Sequence, residues 1–202
     1  MRSSAASDVY KRQPYTYAHT DITVVDDRLA NVISFEQRKS INEPLYRGQI
    51  YIDMENNALL RVDFEVNPQY IEQAAGMFVE RKSRNLRITP QKVAYTVSYK
   101  QWNGTYYINH IRGDLHFKIK KRRQLFNTNI LHTWFEMVTC KIDTANVNRF
   151  SRIESLPTRT VFSDTHFNYD EGFWGDFNVI LPEDKLNEAI SRITSKIEET
   201  NY

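Results

Sequence analysis

The sequence has few of the features that mark disulfide-stabilised, membrane-spanning or polyanion-binding proteins. It contains one cysteine, Cys140, among 202 residues, which excludes an internal disulfide framework. No apolar run approaches the ~18 residues that indicate a transmembrane helix. The 27 basic residues are nearly balanced by 25 acidic ones, and the net charge is +2. This balance gives no reason to expect nucleic acid as a partner.

The sequence also lacks the motifs of the commonest enzyme and cofactor classes, because it has no G-x-S-x-G, Walker or G-x-G-x-x-G pattern. The five histidines are His19, His110, His116, His132 and His166. His110 and His116 share a predicted strand but would lie roughly 20 Å apart, which is too far to share a metal ion. Cys140 is predicted to be a buried, inert thiol beside Val138 and Ile142. We therefore predict no catalytic, cofactor or metal site.

The composition is nevertheless that of a folded protein, with 41% hydrophobic and 13% aromatic residues. Ser3 to Gln13, SSAASDVYKRQ, lacks the apolar core of a signal peptide. One back-translation of this segment resembles the end of a transposase-type library adapter. We therefore expect residues 1–13 to be an adapter-derived, disordered segment and 14–202 to be a single β-rich domain truncated at its N-terminus.

The most informative stretch is Tyr46 to Val66, where two alternating runs flank Glu55-Asn56-Asn57. This pattern predicts a β-hairpin with one apolar and one charged face. The apolar positions that would line a concave ligand-binding face are Ile50, Ile52, Leu60, Val62 and Phe64.

A second hairpin is predicted from Lys92 to Lys120, with its turn at Asn103-Gly104. Asn109 and Gly113 interrupt its alternation and indicate a bulge or a close approach of another group. Leu131 to Asp143 reads as a further strand with apolar residues on both faces, which predicts burial on both sides.

The N-terminal part and two helices complete the predicted fold. From Pro14 the chain indicates one irregular strand, and Asp26 to Lys39 favours a strand over a short helix. Apolar residues at helical spacing predict a helix from Pro68 to Glu80 and a C-terminal amphipathic helix from Pro182 to Glu199. The fold class is therefore α+β, with a curved antiparallel sheet resembling an open half-barrel.

One basic run stands out, consisting of Lys118, Lys120, Lys121, Arg122 and Arg123. It could contact phosphates, lipid headgroups or an acidic partner. The interpretation that composition favours is a solubilising sheet edge that blocks aggregation between strands.

Four segments in order carry a resemblance to a known family: YRGQIYIDMENNALLRVDFEV, VAYTVSYKQWNGTYYINHIRGDLHFKIKKRRQLF, EMVTCKIDTANVNRF and FWGDFNVILPEDKLNEAI. Their order resembles the region downstream of the regulatory-like domain in carboxypeptidase-like regulatory domain-containing proteins of Bacteroidota. The resemblance implies a location in the periplasm or at the outer membrane. It implies no peptidase activity, because this sequence matches no carboxypeptidase catalytic motif.

The first hairpin, with its G-x-I-Y-I-D and L-x-R-V-x-F patterns, is also similar to strands of lipoprotein-carrier folds, in which an open half-barrel holds acyl chains. Three hypotheses follow. The first is a non-catalytic envelope module that acts structurally or binds an unknown envelope protein. The second is a carrier of an apolar ligand such as a lipid, and the third is an uncharacterised hydrolase.

Overall fold

The computed structural model describes residues 13–80, 84–123, 128–145 and 147–152, together with 155, 157 and 160. Its seven strands are β1 (Tyr15–Val25), β2 (Arg28–Gln37), β3 (Tyr46–Asp53), β4 (Leu59–Val66), β5 (Leu86–Trp102), β6 (Thr105–Lys121) and β7 (Thr128–Val138). Between β4 and β5 a 3₁₀ turn, Ile71–Ala74, runs into the short helix α1, Ala75–Phe78.

All seven strands form one sheet in the order in which they occur along the chain. Each strand pairs antiparallel with the next one. Over the described strands the sheet is curved and does not close on itself, which confirms the predicted open antiparallel architecture with a helix after the central hairpin.

The hairpin turns use residues that tolerate positive φ. Asn103 and Gly104 have φ of 47° and 81°, as the Asn-Gly motif predicts, and Asn57 has φ of 58°. The turn between β1 and β2 uses Asp26 and Asp27, with φ of 48° and 62°. This turn carries no glycine, and the sequence did not identify it. The preference for a strand after Asp26 is confirmed by β2.

The second hairpin is longer than predicted, because β5 begins at Leu86 and not at Lys92. Pro90 lies within β5 beside a shift in its register with β6, where Gln91 is the extra residue, and pairing with β4 extends only to Glu65 and Ala94. A proline at this point removes no hydrogen bond to β4. Asn109 is the extra residue of a bulge between β5 and β6, as its position in the pattern indicated.

The helical segment is much shorter than the predicted helix from Pro68 to Glu80. Asn67 does not cap it directly, because its side chain accepts a hydrogen bond from the Gln69 amide at 3.1 Å and forms a turn before the 3₁₀ residues. The segment nevertheless packs on the sheet. Ile71 and Ala74 are buried in a small core with Val66 and Val93.

Strand β7 differs from the sequence-based expectation. It ends at Val138, and exposed side chains lie on both of its faces, so it is not buried on both sides. Met137 is 51% exposed. Cys140 follows the end of the strand and is exposed, so the prediction of a buried thiol was wrong.

The chain divides into two compact units, Met1–Thr139 and Cys140–Tyr202, and the sheet belongs to the first. In the second unit only part of 140–160 is described. The predicted C-terminal helix from Pro182 to Glu199 and residues 1–12 of the expected adapter-derived segment lie outside the described residues. A single domain over 14–202 stays a prediction.

Candidate functional site

The pairing register gives the sheet two chemically different faces, because residues directly opposite each other on antiparallel strands point to the same side. We call one side the apolar face. Its central row crosses every strand through Tyr17, Phe35, Gly48, Phe64, Tyr95, Gly113 and Phe135.

The two glycines of this row make room for neighbouring groups. A Cβ atom on Gly48 would lie 2.0 Å from the carbonyl oxygen of Asp63 and 2.9 Å from the Cβ of Phe64. On Gly113 it would lie 2.3 Å from the ring of Phe135. Glycine at these positions therefore lets an aromatic row continue across the sheet, and the close approach predicted at Gly113 is confirmed.

Aromatic contacts run along much of the row. The rings of Phe64 and Tyr95 stack with their centroids 5.2 Å apart, and Tyr95 and Phe135 are 6.3 Å apart. Tyr46 meets Phe64 edge to face at 5.4 Å. Burial raises the pKa of Tyr95. These contacts fix the orientation of the rings in the middle of the apolar face.

The structure brings together most of the predicted apolar ligand residues. Ile50 lies opposite Val62, and Phe64 lies opposite Gly48 on the same face. A register shift pairs Ile52 with Leu59, so Leu60 falls at an irregular position where it is almost fully buried. The other four predicted residues are half-buried.

The apolar face is most exposed at its two margins. On the β1–β2 side the exposed residues are Tyr17 (56%), Ile22 (50%), Val24 (61%) and Leu29 (57%). On the β7 side they are Leu131 (48%), Phe135 (46%) and Met137 (51%). Contiguous exposed apolar surface is characteristic of interaction sites.

The opposite side of the sheet, which we call the charged face, carries a network of ion pairs. Arg47 donates to Glu65 at 2.7 Å across β3 and β4. Asp63 accepts from Arg61 at 2.9 Å and from the hydroxyl of Thr96 at 2.8 Å. The network neutralises most of the charges that sequence alternation placed on this face.

On β6 and β7 the network continues through Arg112, which donates to Asp114 at 3.0 Å and to Glu136 at 2.8 Å. His132 lies 3.3 Å from Asp114. Although burial on its own would raise the pKa of Asp114, hydrogen bonds from Arg112 and His132 hold it below its ordinary value. The guanidinium of Arg112 also lies 5.4 Å from the ring centroid of Trp134.

A shallow groove of about 470 Å³ lies over the middle of the charged face. Arg47, Asp63, Glu65, Lys92 and Asp114 contribute to its lining. Phe64 is the one predicted apolar ligand residue that contributes to this lining, and Ile50, Ile52, Leu60 and Val62 do not. Most of its charged side chains already have ion-pair or hydrogen-bond partners, which favours a structural role for them.

The carboxylate of Asp53 makes hydrogen bonds at the turn of the first hairpin. The buried carboxylate of Asp53 accepts hydrogen bonds from the side chain of Arg28 and from the amide of Glu55, the latter at 2.8 Å. The hydrogen bond from Arg28 lowers the pKa of Asp53. This carboxylate ties the β3–β4 turn to the start of β2.

The predicted basic patch is divided between the two faces. Lys118 and Lys120 lie on the charged face of β6, whereas Lys121 points to the other side. Arg122 and Arg123 follow in the turn after the strand. Strand β6 pairs with both β5 and β7, so these lysines do not line a free sheet edge.

Two histidines of neighbouring strands lie side by side, although their spacing along the chain did not predict this. His116 and His132 lie directly opposite each other on β6 and β7, with ring centroids 4.3 Å apart. Within the described ranges, no three His, Cys, Asp or Glu side chains are placed so that they could hold a metal ion. The pair was missed because only the register between the strands reveals it.

In the part of the chain that the structure describes, no helix combines the length and the apolar character needed to cross a bilayer. No family model matches the chain, and comparison with curated proteins and with solved structures found no significant match.

Proposed function

We propose that this protein is a non-catalytic interaction module of the cell envelope that binds another envelope protein through the apolar face of its sheet. The observation that carries the proposal is the apolar surface exposed on an open sheet. Leu29 and Val24 are directly opposite each other at one margin and are 57% and 61% exposed. The envelope location rests on the resemblance to the Bacteroidota proteins.

The openness of the face favours a protein partner. Small apolar ligands are usually held in concave sites that bury most of their surface. Here Phe135 and Met137 at one margin are about half exposed, and so is Tyr17 at the other. A partner with an extended apolar surface would cover these positions together with the half-buried residues between them.

A carrier of an acyl chain is the second candidate, because the apolar face is continuous from β1 to β7 and is crossed by aromatic rings. Its test is the binding of a fluorescent long-chain fatty acid to delipidated protein. A carrier would bind the probe, and replacing Phe64 by Ser would weaken binding. Absence of binding by the wild-type protein would exclude this candidate.

Photo-cross-linking in cells that naturally make the protein tests the first proposal. A photoreactive amino acid is placed at Leu29 on the apolar face and, as a matched control, at Glu36 on the other face of the same strand. Both positions are exposed. We expect one discrete cross-linked protein product from Leu29 and none from Glu36. Equal products from both positions would contradict a face-specific interaction.

The hydrolase hypothesis stays a prediction. It requires a nucleophile or an activated water beside a base in one pocket. In the described groove the acidic residue Asp63 is paired with Arg61 and Thr96, and Asp114 with Arg112 and His132. Both carboxylates are thus already held by ion pairs or hydrogen bonds within the sheet, which favours a structural role for them.

A further inference from the structure

His116 and His132, which lie directly opposite each other on β6 and β7, are called the histidine pair below. Their ring centroids are 4.3 Å apart, and the ring planes are inclined at 42°. Two imidazoles that occupy neighbouring positions around one ion, with metal–nitrogen bonds of about 2.0–2.1 Å, have centroids roughly 4.5–5 Å apart. The observed separation is therefore close to that of two imidazoles that share a metal ion.

The histidine pair is open to solvent on the charged face. The side chain of His132 is 48% exposed, and His116 is half-buried. A metal ion can therefore reach the imidazoles from solution. Water molecules can fill the coordination positions that the two rings do not supply.

Asp114 determines which nitrogen of His132 can coordinate a metal. Its Oδ1 atom lies 3.3 Å from Nε2 of His132. Because an ionised carboxylate only accepts hydrogen bonds, Nε2 carries the proton, and the neutral ring has its lone pair on Nδ1. Histidines that bind metals commonly donate their second nitrogen to a carboxylate in this way. Arg112 donates to the same carboxylate at 3.0 Å and holds it in place.

The donor atoms indicate which class of ligand fits the histidine pair. Imidazole nitrogens suit Zn²⁺, Cu²⁺ and Ni²⁺, whereas Ca²⁺ and Mg²⁺ require oxygen ligands. Lys92 lies opposite His116 on β5, and Lys118 is two residues further along β6. Both lysines are exposed, so solvent and salt screen their charges. The carboxylate of Asp114 beside His132 disfavours an anion at this position.

We propose that the histidine pair binds a divalent late transition-metal ion, with one nitrogen from each ring as the protein ligands and water in the remaining positions. Asp114 is a positioning residue that orients His132. The site uses two protein ligands, and within the described ranges no third His, Cys, Asp or Glu completes it. It lies on the charged face, so it does not depend on the partner proposed for the apolar face.

Isothermal titration calorimetry of the full chain with Cu²⁺ measures the affinity, because Cu²⁺ binds nitrogen ligands most tightly among these ions. His116→Asn and His132→Asn should each raise the dissociation constant by at least about tenfold, since the remaining imidazole binds without its chelating partner. His19→Asn is the matched control at an exposed histidine of β1 and should leave the constant unchanged. No binding by the wild type, or unchanged binding by either variant of the histidine pair, would overturn the proposal.

Electron spin echo envelope modulation of the Cu²⁺ complex counts the coordinated imidazoles. We expect two in the wild type and one in each single variant of the histidine pair. Asp114→Asn should retain two imidazoles and weaken binding by about tenfold, and Asp114→Glu should restore most of the affinity. One imidazole in the wild type would contradict the site, and full affinity in Asp114→Asn would contradict the positioning role.

Relocating the two imidazoles tests the dependence on register. Lys118 and Ile130 are the next directly opposite residues on the same face of β6 and β7. With both native histidines of the pair replaced by Asn, Lys118→His together with Ile130→His should restore Cu²⁺ binding. Lys118→His with Thr128→His places the rings diagonally, about 7–8 Å apart, and should not restore it. Circular dichroism confirms that each variant is folded. Equal binding by the opposed and the diagonal pairs would contradict a site that the register creates.

Discussion

At the scale of single residues, the two glycines of the aromatic row have different surroundings, although both lie beside a phenylalanine. At Gly48 a Cβ would collide with the backbone of Asp63 and Phe64 in the neighbouring strand. At Gly113 the nearest atoms belong to the ring of Phe135, a side chain of β7 that is 46% exposed. A ring can rotate away from a new methyl group, whereas two paired strands have to separate.

Gly48→Ala should therefore destabilise the protein by about 2 kcal/mol or more, and Gly113→Ala by about 1 kcal/mol or less. Urea unfolding followed by circular dichroism measures both free energies of unfolding. Equal losses would show that the close backbone approach at Gly48 does not limit the packing of β3 against β4.

The buried carboxylate of Asp53 makes a second residue-scale prediction, on pH dependence. The hydrogen bond from Arg28 lowers its pKa in the folded protein, so the unfolded chain takes up a proton first as the pH falls. The stabilisation is complete above the ordinary carboxyl pKa of about 4 and is lost as the pH drops through the lowered folded value.

Asp53→Asn should lower the urea midpoint at pH 7. It should also make the free energy of unfolding fall less steeply as the pH drops below about 4. Glu55→Gln is the matched control, because Glu55 pairs with the same arginine through a side chain that is 84% exposed. If both variants unfold with the same midpoint and the same pH profile, Asp53 does not tie the hairpin to β2.

At the scale of elements, the turns connect local sequence to strand register. In the β5–β6 turn both Asn103 and Gly104 have positive φ, and in the β1–β2 turn both Asp26 and Asp27 do. Glycine adopts this conformation without strain, whereas aspartate tolerates it at a cost. The β1–β2 turn is therefore less favourable than the β5–β6 turn.

Asp27→Gly should accordingly raise the free energy of unfolding by about 0.5 kcal/mol, and Gly104→Ala should lower it by about 1 kcal/mol. Thermal unfolding of the two variants beside the wild type measures the opposite shifts. A decrease for Asp27→Gly would mean that the aspartate side chain itself stabilises the turn.

The elements were predictable where the signal was local. Alternation and Asn-Gly chemistry located the two hairpins, and Asn109 and Gly113 marked the bulge and the close approach that the structure shows. The ends of β5 and β7 were not predictable, because they depend on where a neighbouring strand stops pairing. Pro90 is tolerated where β4 no longer pairs with β5 and the register with β6 shifts.

At the scale of the whole molecule, the sequence indicated an open antiparallel sheet but not which residues of different strands lie side by side on its faces. The row from Tyr17 to Phe135 and the contact of His116 with His132 arise from the registers between consecutive strands, which the sequence pattern of a single strand does not specify. The sequence also assigned the basic run to an edge, whereas β7 covers the strand that carries it. Which strand lies at the edge is a property of the complete sheet.

The open sheet leaves its apolar margins exposed, and this is the basis of the proposed interaction. Covering the apolar face with a partner would remove the exposed surface of Leu29 and Val24 from water, which is favourable by roughly 25 cal/mol per Å². The charged face gains nothing comparable, because its ion pairs are already formed within the sheet.

The comparison of photo-cross-linking at Leu29 and at Glu36 tests this account most directly, because the two positions share a strand and differ in the face they occupy. The account predicts a discrete partner attached at Leu29 and no product at Glu36. A product at Glu36 with none at Leu29 would show that the charged face is the binding surface and would contradict the account.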